Sequence, residues 1–441
     1  MKRIIKTALA AACLATAATS LVAAPASAAE PFKIGLIVPM TGPFASTGKQ
    51  IDVAVKLYMQ QHGDVVDGRK IQVILRDDGG LQPENTKRIA QEMVIQDKVN
   101  VLAGFGLTPL AFAAAPVATQ AKVPMVVMAA ATSSVIKKSP YIVRTSQTLP
   151  QITTPLADWA AKNPKIKTAI TLISDYGPGH DAEKFFIKNF TDGGGKVLES
   201  IRVPLQNPDF APFLQRVKDA KPDAVFVFVP SGPGAALMKQ FKEKGLAQAG
   251  IQLIGAGDLL DDDLLPAMGD EALGVVTSQR YSAAHDSPEN KAYVAAFKKM
   301  TNHKMRPNLM AMGGYDGMHL IYAALKKAGP NATGDQLLAA MKGMSWVSPR
   351  GPVSIDPQTR DIIQNVYIRK AEKVNGQLRP GTGGEDFAEM MLVRPGAFMR
   401  IGNGVNPDGS FVGLHSARYD FNDAILPDGV RYWVGVVDQE L

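Results

Sequence analysis

The chain has 441 residues, of which 46% are hydrophobic, so it is long enough to bury two cores and we expect two domains. The formal net charge is +7, and Lys2, Arg3 and Lys6 of the N-terminal segment account for three of these charges; the remaining +4 (7 − 3) gives no reason to expect nucleic-acid binding. The single cysteine, Cys13, lies in the same segment, which excludes disulfides, thiolate catalysis and cysteine metal sites from the rest of the chain.

Residues 1 to 28 predict a secretory signal peptide. A cationic start is followed by an Ala/Leu-rich apolar stretch, and the small residues Ala26, Ser27 and Ala28 mark the exit, so we expect cleavage after Ala28. The apolar stretch is short for a membrane anchor. We therefore expect a soluble, exported protein that works in the periplasm.

From residue 33 onward, short Val/Ile-rich runs alternate with longer amphipathic segments, which is typical of βαβ units with a mostly parallel sheet. The pattern occurs twice in succession, and this predicts two similar α/β halves. A helical segment, GGYDGMHLIYAALKKAG, follows, and then PVSIDPQTRDIIQNVYIRKAEKVNG, whose DPQTRD turn predicts a β-hairpin. The runs of the first half are KIGLIV, IQVILRDD, NVLAGF and VPMVVM; those of the second are KTAITLISD, VLESIRVP, DAVFVFVP and IQLIGAGD.

The loops that follow these strands are the candidate ligand-binding segments, because ligands of open parallel sheets lie beyond the carboxyl ends of the strands. All six consist mainly of Gly, Ala, Ser, Thr and Pro, which supply backbone N–H groups and small hydroxyls rather than catalytic pairs. This composition favours binding over catalysis. The loops are residues 39–49, 104–112, 128–134, 174–181, 229–234 and 255–263.

Three hydroxyl residues in these loops are candidates to hold a carboxylate at helix N-termini: Thr108, Thr132 and Ser133. Ordinary N-capping is the alternative role for each of them. Aromatic residues near the loops are candidate walls of a cleft, with a place in the core as the alternative: Phe44, Tyr281 and Tyr315.

Several of these stretches resemble the branched-chain amino acid binding proteins of bacterial ABC importers. The resemblance lies in KIGLIVPMTGPFASTGKQ, AAATSS, SDYGPG, GGYDGM and IRKAEKVNG, in matching order, and covers about residues 29 to 380. It implies a type I periplasmic binding protein, an α/β fold of two lobes, each a mostly parallel sheet flanked by helices, joined by three hinge crossovers. Lobe 1 would hold residues 29–150 and 280–350, and lobe 2 residues 151–279 and 351–380.

The same resemblance implies roles for individual residues. Ala130 and Thr132 match the positions that hold the solute carboxylate with a backbone amide and a hydroxyl, and Tyr176 matches an aromatic residue that closes from the second lobe. Asp258 lies where the family has an acidic partner for the solute ammonium, usually Glu. The sequence departs from the family at two contacts, where a serine is replaced by Pro109 beside Thr108 and a tyrosine by Pro230 beside Ser231.

The function that the resemblance implies is the solute-binding component of an ABC importer, which delivers a small apolar carboxylate to a membrane permease. If Asp258 points into the cleft, a branched-chain or other hydrophobic amino acid is favoured, because a buried ammonium needs an anionic partner. If Asp258 only caps a helix, the relatives of this family that take up aromatic acids are the better comparison for this chain. We expect no enzymatic activity, no cofactor and no metal. A ligand-sensing domain of a receptor is a further alternative, but it would need a signalling segment that the lobes lack.

Two polar clusters receive structural interpretations. Asp261, Asp262 and Asp263 predict a solvated loop or helix start rather than a cation site. His180 and Asp181 are predicted to open a helix, where the aspartate carboxylate favourably meets the helix dipole.

Residues 381–441 differ in character from the rest. The stretches GGEDFA, RPGAF, GNG and LHSARYDFND resemble the C-terminal end of the metal-dependent aminoacylase and hippurate hydrolase family, in which the histidine matching His415 is a metal ligand. That chemistry also needs a Glu-Glu pair and further histidine and aspartate ligands. No Glu-Glu dipeptide occurs in the chain, and the other histidines are scattered, so we expect a partly ordered fragment without activity, joined by gene fusion or by a sequence error. Those histidines are His62, His180, His285, His303 and His319.

Overall fold

The computed structural model describes residues 30–382, which form two α/β lobes. Lobe 1 begins with alternating strands and helices. Its sheet has the order β2-β3-β1-β4-β5-β6, and all neighbours are parallel except the short β2, which pairs antiparallel with β3. The elements are β1 (Phe32–Val38), α1 (Ala45–His62), β2 (Val65–Val66), β3 (Arg69–Asp77), α2 (Pro83–Ile95), β4 (Val101–Gly104), α3 (Thr108–Ala121), β5 (Met125–Val127) and β6 (Ile142–Arg144).

Lobe 2 repeats the arrangement. Its parallel strands lie in the order β11-β10-β9-β7-β8. The elements are α4 (Leu149–Lys162), β7 (Thr168–Ser174), α5 (Gly177–Asp192), β8 (Lys196–Val203), α6 (Ala211–Ala220), β9 (Ala224–Phe228), α7 (Gly234–Glu243), β10 (Gln252–Ala256), α8 (Leu265–Met268) and β11 (Val276–Gln279).

The chain then returns to lobe 1 before it finishes on lobe 2. Strands β12, β13 and β14 form a separate antiparallel sheet, whereas β15 and β16 extend the lobe 2 sheet antiparallel to β11. The elements are α9 (Pro288–Met300), α10 (Leu309–Ala328), α11 (Gly334–Met341), β12 (Ser345–Ser348), β13 (Gly351–Ile355), β14 (Ile362–Gln364), β15 (Tyr367–Val374) and β16 (Gln377–Thr382).

Burial explains why the central strands form where the sequence predicts them. The strands β4, β5, β6 and β9 are buried along their whole length, as expected for parallel strands covered by helices on both faces. The edge strand β8 alternates between exposed and covered residues instead. The predicted α/β architecture is confirmed, and so is the hairpin, because the DPQTRD turn joins β13 to β14 in an antiparallel pair.

The third crossover lies later than the sequence predicts. Val353 and Ile355 of β13 and Ile362 of β14 are buried in the core of lobe 1, together with residues of α10. Tyr367, by contrast, already pairs with Gln279 in the lobe 2 sheet. We therefore propose that residues 351–364 belong to lobe 1 rather than to lobe 2, and that the crossover is at residues 365–366.

Four fully buried arginines lie beside the crossovers and tie the lobes to the hinge: Arg144, Arg280, Arg350 and Arg369. Arg350 pairs with Asp316 of α10 at 2.6 Å and donates to the carbonyl of Thr145 in the first crossover at 2.9 Å. Arg144 lies 2.7 Å from Asp361 and donates to the carbonyl of Thr132 at 2.9 Å. These contacts fix the loops that border the space between the lobes.

Within residues 30–382, no helix is long and apolar enough to cross a membrane.

Candidate functional site

A narrow cavity, partly open to solvent, lies between the two lobes. Much of its wall consists of residues that follow the carboxyl ends of strands, as the sequence predicts for an open parallel sheet. Lobe 1 contributes Phe44 after β1, Thr108 after β4 and Ala130 after β5. Lobe 2 contributes Tyr176 after β7 and Asp258 after β10.

Thr108 lines the cavity on the lobe 1 side, and its hydroxyl contacts that of Thr132. Thr108 Oγ1 lies 2.9 Å from Thr132 Oγ1, and both side chains are buried. Neither hydroxyl caps a helix: Thr108 is the first residue of α3, and Thr132 precedes a 3-10 helix (Ser133–Lys138) without a side-chain cap bond. The hydroxyls therefore lie at the N-terminus of α3, where backbone N–H groups and the helix dipole favour an anion.

Ala130 also lines the cavity, but its backbone amide is already used. Ala130 N donates to the carbonyl of Phe105 at 3.0 Å, so it is not free to hold a solute carboxylate as the family resemblance implies. The amide of Thr132 makes only a long bond of 3.4 Å to Thr108 Oγ1. The contact between the hydroxyls of Thr108 and Thr132 is thus a polar feature of lobe 1 beside the N-terminus of α3.

Aromatic rings from both lobes form the apolar walls. Phe44 is buried against Leu107 and Leu110 of lobe 1, and Tyr176 of lobe 2 packs against the same group. The rings of Tyr176 and Phe228 stack with centroids 6.2 Å apart. Burial raises the pKa of Tyr176 well above its ordinary value, and the nearby carboxylate of Asp258 adds to this effect. Tyr176 therefore stays a neutral donor at physiological pH.

The two other candidate wall residues lie elsewhere. Tyr281 is fully buried in a lobe 1 core cluster with Tyr293 and Phe297, so it does not line the cavity. Tyr315 packs against that cluster and donates to Gln61 Oε1 at 2.6 Å. Tyr281 and Tyr315 therefore both have the core role that the sequence analysis gave as the alternative.

Asp258 is the charged group of the lobe 2 wall. It belongs to a 3-10 helix (Gly257–Leu260), is only 6% exposed and lies 3.5 Å from Nε2 of Gln279. Burial raises its pKa to about 6, although the positive charge of Arg280 opposes this shift. Asp258 lines the cavity, and it lies within the 3-10 helix rather than at its cap.

Ser231 follows Pro230, which lines the cavity, but Ser231 itself lies behind that wall. Its side chain is 3% exposed, and Oγ has no hydrogen-bond partner within residues 30–382. Sequence reasoning missed three residues that do line the cavity: Gln147, Phe228 and Met310. Phe228 is the last residue of β9 and could have been predicted from that position. Gln147 lies in the first crossover and Met310 in α10, and neither follows the carboxyl end of a strand of the kind that the sequence rule uses.

The three aspartates after Asp258 lie in the loop before α8, as predicted, but two of them are not solvated, so this part of the sequence prediction was wrong. Asp261 and Asp262 are fully buried. Asp261 accepts two hydrogen bonds from Nδ2 of Asn308 at 2.8 and 3.0 Å, and Asp262 pairs with Arg369. These contacts connect the loop after β10 to other parts of the chain, because each carboxylate accepts a hydrogen bond from a donor that is distant in sequence. Across residues 30–382, no group of three or more His, Cys, Asp or Glu side chains is arranged to hold a metal ion.

The lobes are in direct contact near Tyr176 and Pro178, which line the cavity. Asp181 Oδ2 on α5 accepts a hydrogen bond of 2.7 Å from the backbone N–H of Ser133 in lobe 1. The N-terminus of α5 approaches so closely that a Cβ on Gly177 would lie 2.8 Å from Thr132 Oγ1. Helix α5 begins at Gly177 and has no acidic residue in its first turn, so His180 and Asp181 do not open it as predicted; the carboxylate of Asp181 bridges the cleft instead.

Comparisons with known proteins agree with this geometry. The family model described as periplasmic binding protein matches residues 31–377. A curated relative from Brucella abortus (strain 2308), named Leu/Ile/Val-binding protein homolog 6, is 45% identical over 376 residues, which are 85% of this chain and 94% of the relative.

Two solved structures of ABC transporter solute-binding proteins are also similar. The protein from Rhodopseudomonas palustris BisB5, in complex with 3,4-dihydroxybenzoic acid, is 64% identical with a TM-score of 0.77, covering 79% of this chain and 95% of that chain. The protein from Rhodopseudomonas palustris HaA2, in complex with p-hydroxybenzoic acid, is 43% identical with a TM-score of 0.77, covering 80% and 95%.

The C-terminal segment gains no support from these matches. The family model ends at residue 377, and the relatives named above are binding proteins, so nothing supports the hydrolase resemblance of residues 381–441. Residues 383–441, including His415, lie outside the described residues.

Proposed function

The chain belongs to the periplasmic binding protein family and is an ABC transporter solute-binding protein, and from this premise we propose that its solute is a hydroxylated benzoic acid. The observation that carries the proposal is the way in which the two lobes contribute different chemical groups to the cavity wall. Thr108, in contact with the hydroxyl of Thr132, lies on the lobe 1 wall, a residue with a buried carboxyl group lies on the lobe 2 wall, and aromatic rings come from both. A hydroxylated benzoate has the complementary groups: a carboxylate, a flat ring and a phenolic donor.

In this proposal the solute carboxylate lies at the hydroxyls of Thr108 and Thr132 and at the N-terminus of α3. The ring lies between Phe44 of lobe 1 and the stacked pair of Tyr176 and Phe228 of lobe 2. The phenolic hydroxyl donates to the carboxylate of Asp258, and a hydrogen bond to a charged acceptor is stronger than a neutral one.

The charges around Asp258 favour a neutral donor over an ammonium group. Burial raises the pKa of Asp258 and the charge of Asp261 adds to this effect, while Arg280 and Arg369 oppose it, so the negative charge of Asp258 already interacts with two buried guanidinium groups. A phenol adds no charge to this region. An ammonium group would share Asp258 with these guanidinium groups, and burying a charge that is incompletely paired is costly.

A hydrophobic amino acid is the second candidate, and two observations favour it. Asp258 lines the cavity, which is the position that the sequence reasoning required of an ammonium partner. The 45% identical relative is named a Leu/Ile/Val-binding protein homolog. The matched solute-binding protein with 64% identity was solved with an aromatic acid instead, and this gives the aromatic solute priority.

We propose that the solute stabilises the closed arrangement of the lobes because it contacts both of them. A membrane permease then recognises the closed face, in the periplasm to which residues 1–28 direct the chain. No step of this cycle changes a covalent bond, so we propose no enzymatic activity.

The test is calorimetric titration of the secreted full chain with 4-hydroxybenzoate, 3,4-dihydroxybenzoate, benzoate, leucine and valine. Binding of the hydroxybenzoates with leucine and valine inert supports the proposal. A titration in which only the amino acids bind overturns it and makes Asp258 the ammonium partner. A thermal-shift series checks the ranking, since a ligand at a hundredfold excess over its Kd raises stability by about 2.7 kcal/mol.

A further inference from the structure

Gly177 is the first residue of α5 and directly follows Tyr176, which lines the cavity. The backbone does not require glycine at this position, because the φ angle of Gly177 lies outside the left-handed region that other residues avoid. Alanine also has the higher helix propensity. Neither the local backbone nor the helix therefore calls for a residue without a side chain here.

The space for a side chain at Gly177 is limited by the other lobe. Apart from its chain neighbours and the backbone of its own helix, the three heavy atoms nearest to an added Cβ all belong to Thr132 of lobe 1. They are Oγ1 at 2.8 Å, Cγ2 at 3.5 Å and Cβ at 3.7 Å, and the first distance is too short for a real contact. Gly193, at the other end of α5, differs, because its added Cβ would first meet Cβ of Ala161 in lobe 2, at 2.5 Å. The steric limit at Gly177 thus acts between the lobes.

Thr132 is held in its place opposite Gly177. Its side chain is buried, and Oγ1 lies 2.9 Å from Oγ1 of Thr108. Its carbonyl accepts a hydrogen bond of 2.9 Å from Nη1 of the fully buried Arg144. A rotation of the side chain would break the first contact, and a shift of the backbone would break the second. A methyl group on Gly177 would therefore move the two lobes apart.

Two further contacts between the lobes depend on the same approach. Asp181, about one turn further along α5, accepts a hydrogen bond of 2.7 Å from the backbone N–H of Ser133. The ring of Tyr176, directly before Gly177, packs against a lobe 1 cluster that contains Phe44. Both contacts weaken when the lobes separate, since a gap of about 0.5–1 Å already removes about a quarter to a half of a dispersion contact.

We propose that Gly177 is a positioning residue for closure: its missing side chain allows the N-terminus of α5 to reach Thr132, and this contact sets how far the lobes close over the solute. The inference rests on the proposed closure around a solute, but not on which solute is bound. An added methyl group holds the lobes apart and weakens binding, while lobe 2 folds as before.

The experiment is a double-mutant cycle in the full chain, with Kd for 4-hydroxybenzoate measured by calorimetry. Thr132→Ala leaves only Cβ, at an ordinary contact distance of 3.7 Å, and so removes the atoms that an added methyl group would meet. This variant binds more weakly by itself, because its hydroxyl is lost. We expect Gly177→Ala to weaken binding about tenfold in the natural background, and less than about threefold in the Thr132→Ala background.

Small-angle scattering and thermal unfolding separate closure from folding. At saturating ligand, Gly177→Ala should have a larger radius of gyration than the natural chain, and the double variant should not. The melting temperature of ligand-free Gly177→Ala should be unchanged or slightly raised. Gly193→Ala is the matched control: its methyl group meets Ala161 within lobe 2, so it lowers the melting temperature but keeps the affinity and the radius of gyration.

Either of two results overturns the proposal. Gly177→Ala binds 4-hydroxybenzoate as tightly as the natural chain, or it loses the same factor with and without Thr132→Ala, which would place the obstacle within lobe 2. Failure of the natural chain to bind 4-hydroxybenzoate, with leucine bound instead, overturns the proposed solute alone. The same cycle measured with leucine then tests the role of Gly177.

Discussion

Asp262 and Arg369 form an ion pair inside the protein, with 2.9 Å between Oδ2 and Nη1 and both side chains fully buried. The guanidinium of Arg369 also donates to three backbone carbonyls, those of Tyr281, Gly257 and Leu260. Two of these carbonyls belong to the 3-10 helix that carries Asp258. The pair therefore connects strand β15 to the loop that forms the charged wall of the cavity.

Arg369→Met is expected to destabilise the protein by about 3–5 kcal/mol, because it leaves the carboxylate of Asp262 buried without its cation. Chemical denaturation measures the change in the free energy of unfolding. Lys373→Met is the matched control on the same strand, since Lys373 pairs with Asp270 at the surface, where ion pairs contribute about 0–1 kcal/mol. Equal effects of the two substitutions would contradict a special role for the buried pair.

Asp181→Ala is expected to weaken solute binding about fivefold without a large change in the stability of the lobes. The carboxylate of Asp181 bridges the cleft to the N–H of Ser133, and the substitution removes about 1 kcal/mol from the closed arrangement. Calorimetry gives the affinity, and small-angle scattering shows whether the ligand-free protein opens further. Asp192→Ala, at the other end of α5 in an exposed pair with Lys188, controls for the loss of an aspartate from this helix and leaves the affinity unchanged.

Thr108→Val and Thr132→Val are each expected to weaken binding of a carboxylate solute about tenfold or more, because a hydrogen bond to a charged group contributes about 1.5–3 kcal/mol. Thr132→Ser keeps the hydroxyl and retains most of the affinity. Thr191→Val, at an exposed position on α5, is the control. Full affinity in both valine variants would show that the carboxylate of the solute lies elsewhere in the cavity.

The sequence predicted the strands and the loops around the cavity because their signals are local. A Val/Ile-rich run such as that ending at Phe228 is buried on both faces of a parallel sheet, and the loop after such a strand meets the other strand ends. Thr108 and Thr132 could be found from this rule alone. Their direct contact at 2.9 Å could not, since it joins loops that are 24 residues apart.

The errors arose where long-range partners decide the environment of a residue. Asp262 was expected in solvent because three adjacent aspartates normally lie at the surface, but Arg369, 107 residues later, supplies a buried partner. Tyr281 follows a strand as the cavity residues do, yet it packs against Tyr293 in a lobe 1 core. No sequence pattern marks Gln147, because its distinguishing feature is a buried Oε1 that lacks a hydrogen bond within residues 30–382, and only the packed structure reveals this.

Asp78→Asn is expected to stabilise the protein at pH 8 by about 1–3 kcal/mol and to have little effect at pH 4. Asp78 is fully buried, its Oδ2 has no partner within residues 30–382, and burial raises its pKa to about 7. Between about pH 4 and pH 7 the folded chain therefore retains a proton that the unfolded chain has lost. Stability consequently falls as the pH rises through this range, and asparagine removes the fall while it keeps the hydrogen bond that Oδ1 accepts from Gly80 N.

The neighbouring Asp77 provides a control of opposite sign. Partial burial opposes its ionisation, but hydrogen bonds from Thr41, Gly79 and Met40 hold its pKa below the ordinary value. The charged form of Asp77 thus stabilises the fold at neutral pH, and this contribution is lost as the pH falls through the low pKa of the folded state. Asp77→Asn should lower the melting temperature at pH 8 while Asp78→Asn raises it. Shifts in the same direction for these adjacent residues would refute the assignment of their charges, because only their hydrogen bonds and burial distinguish them.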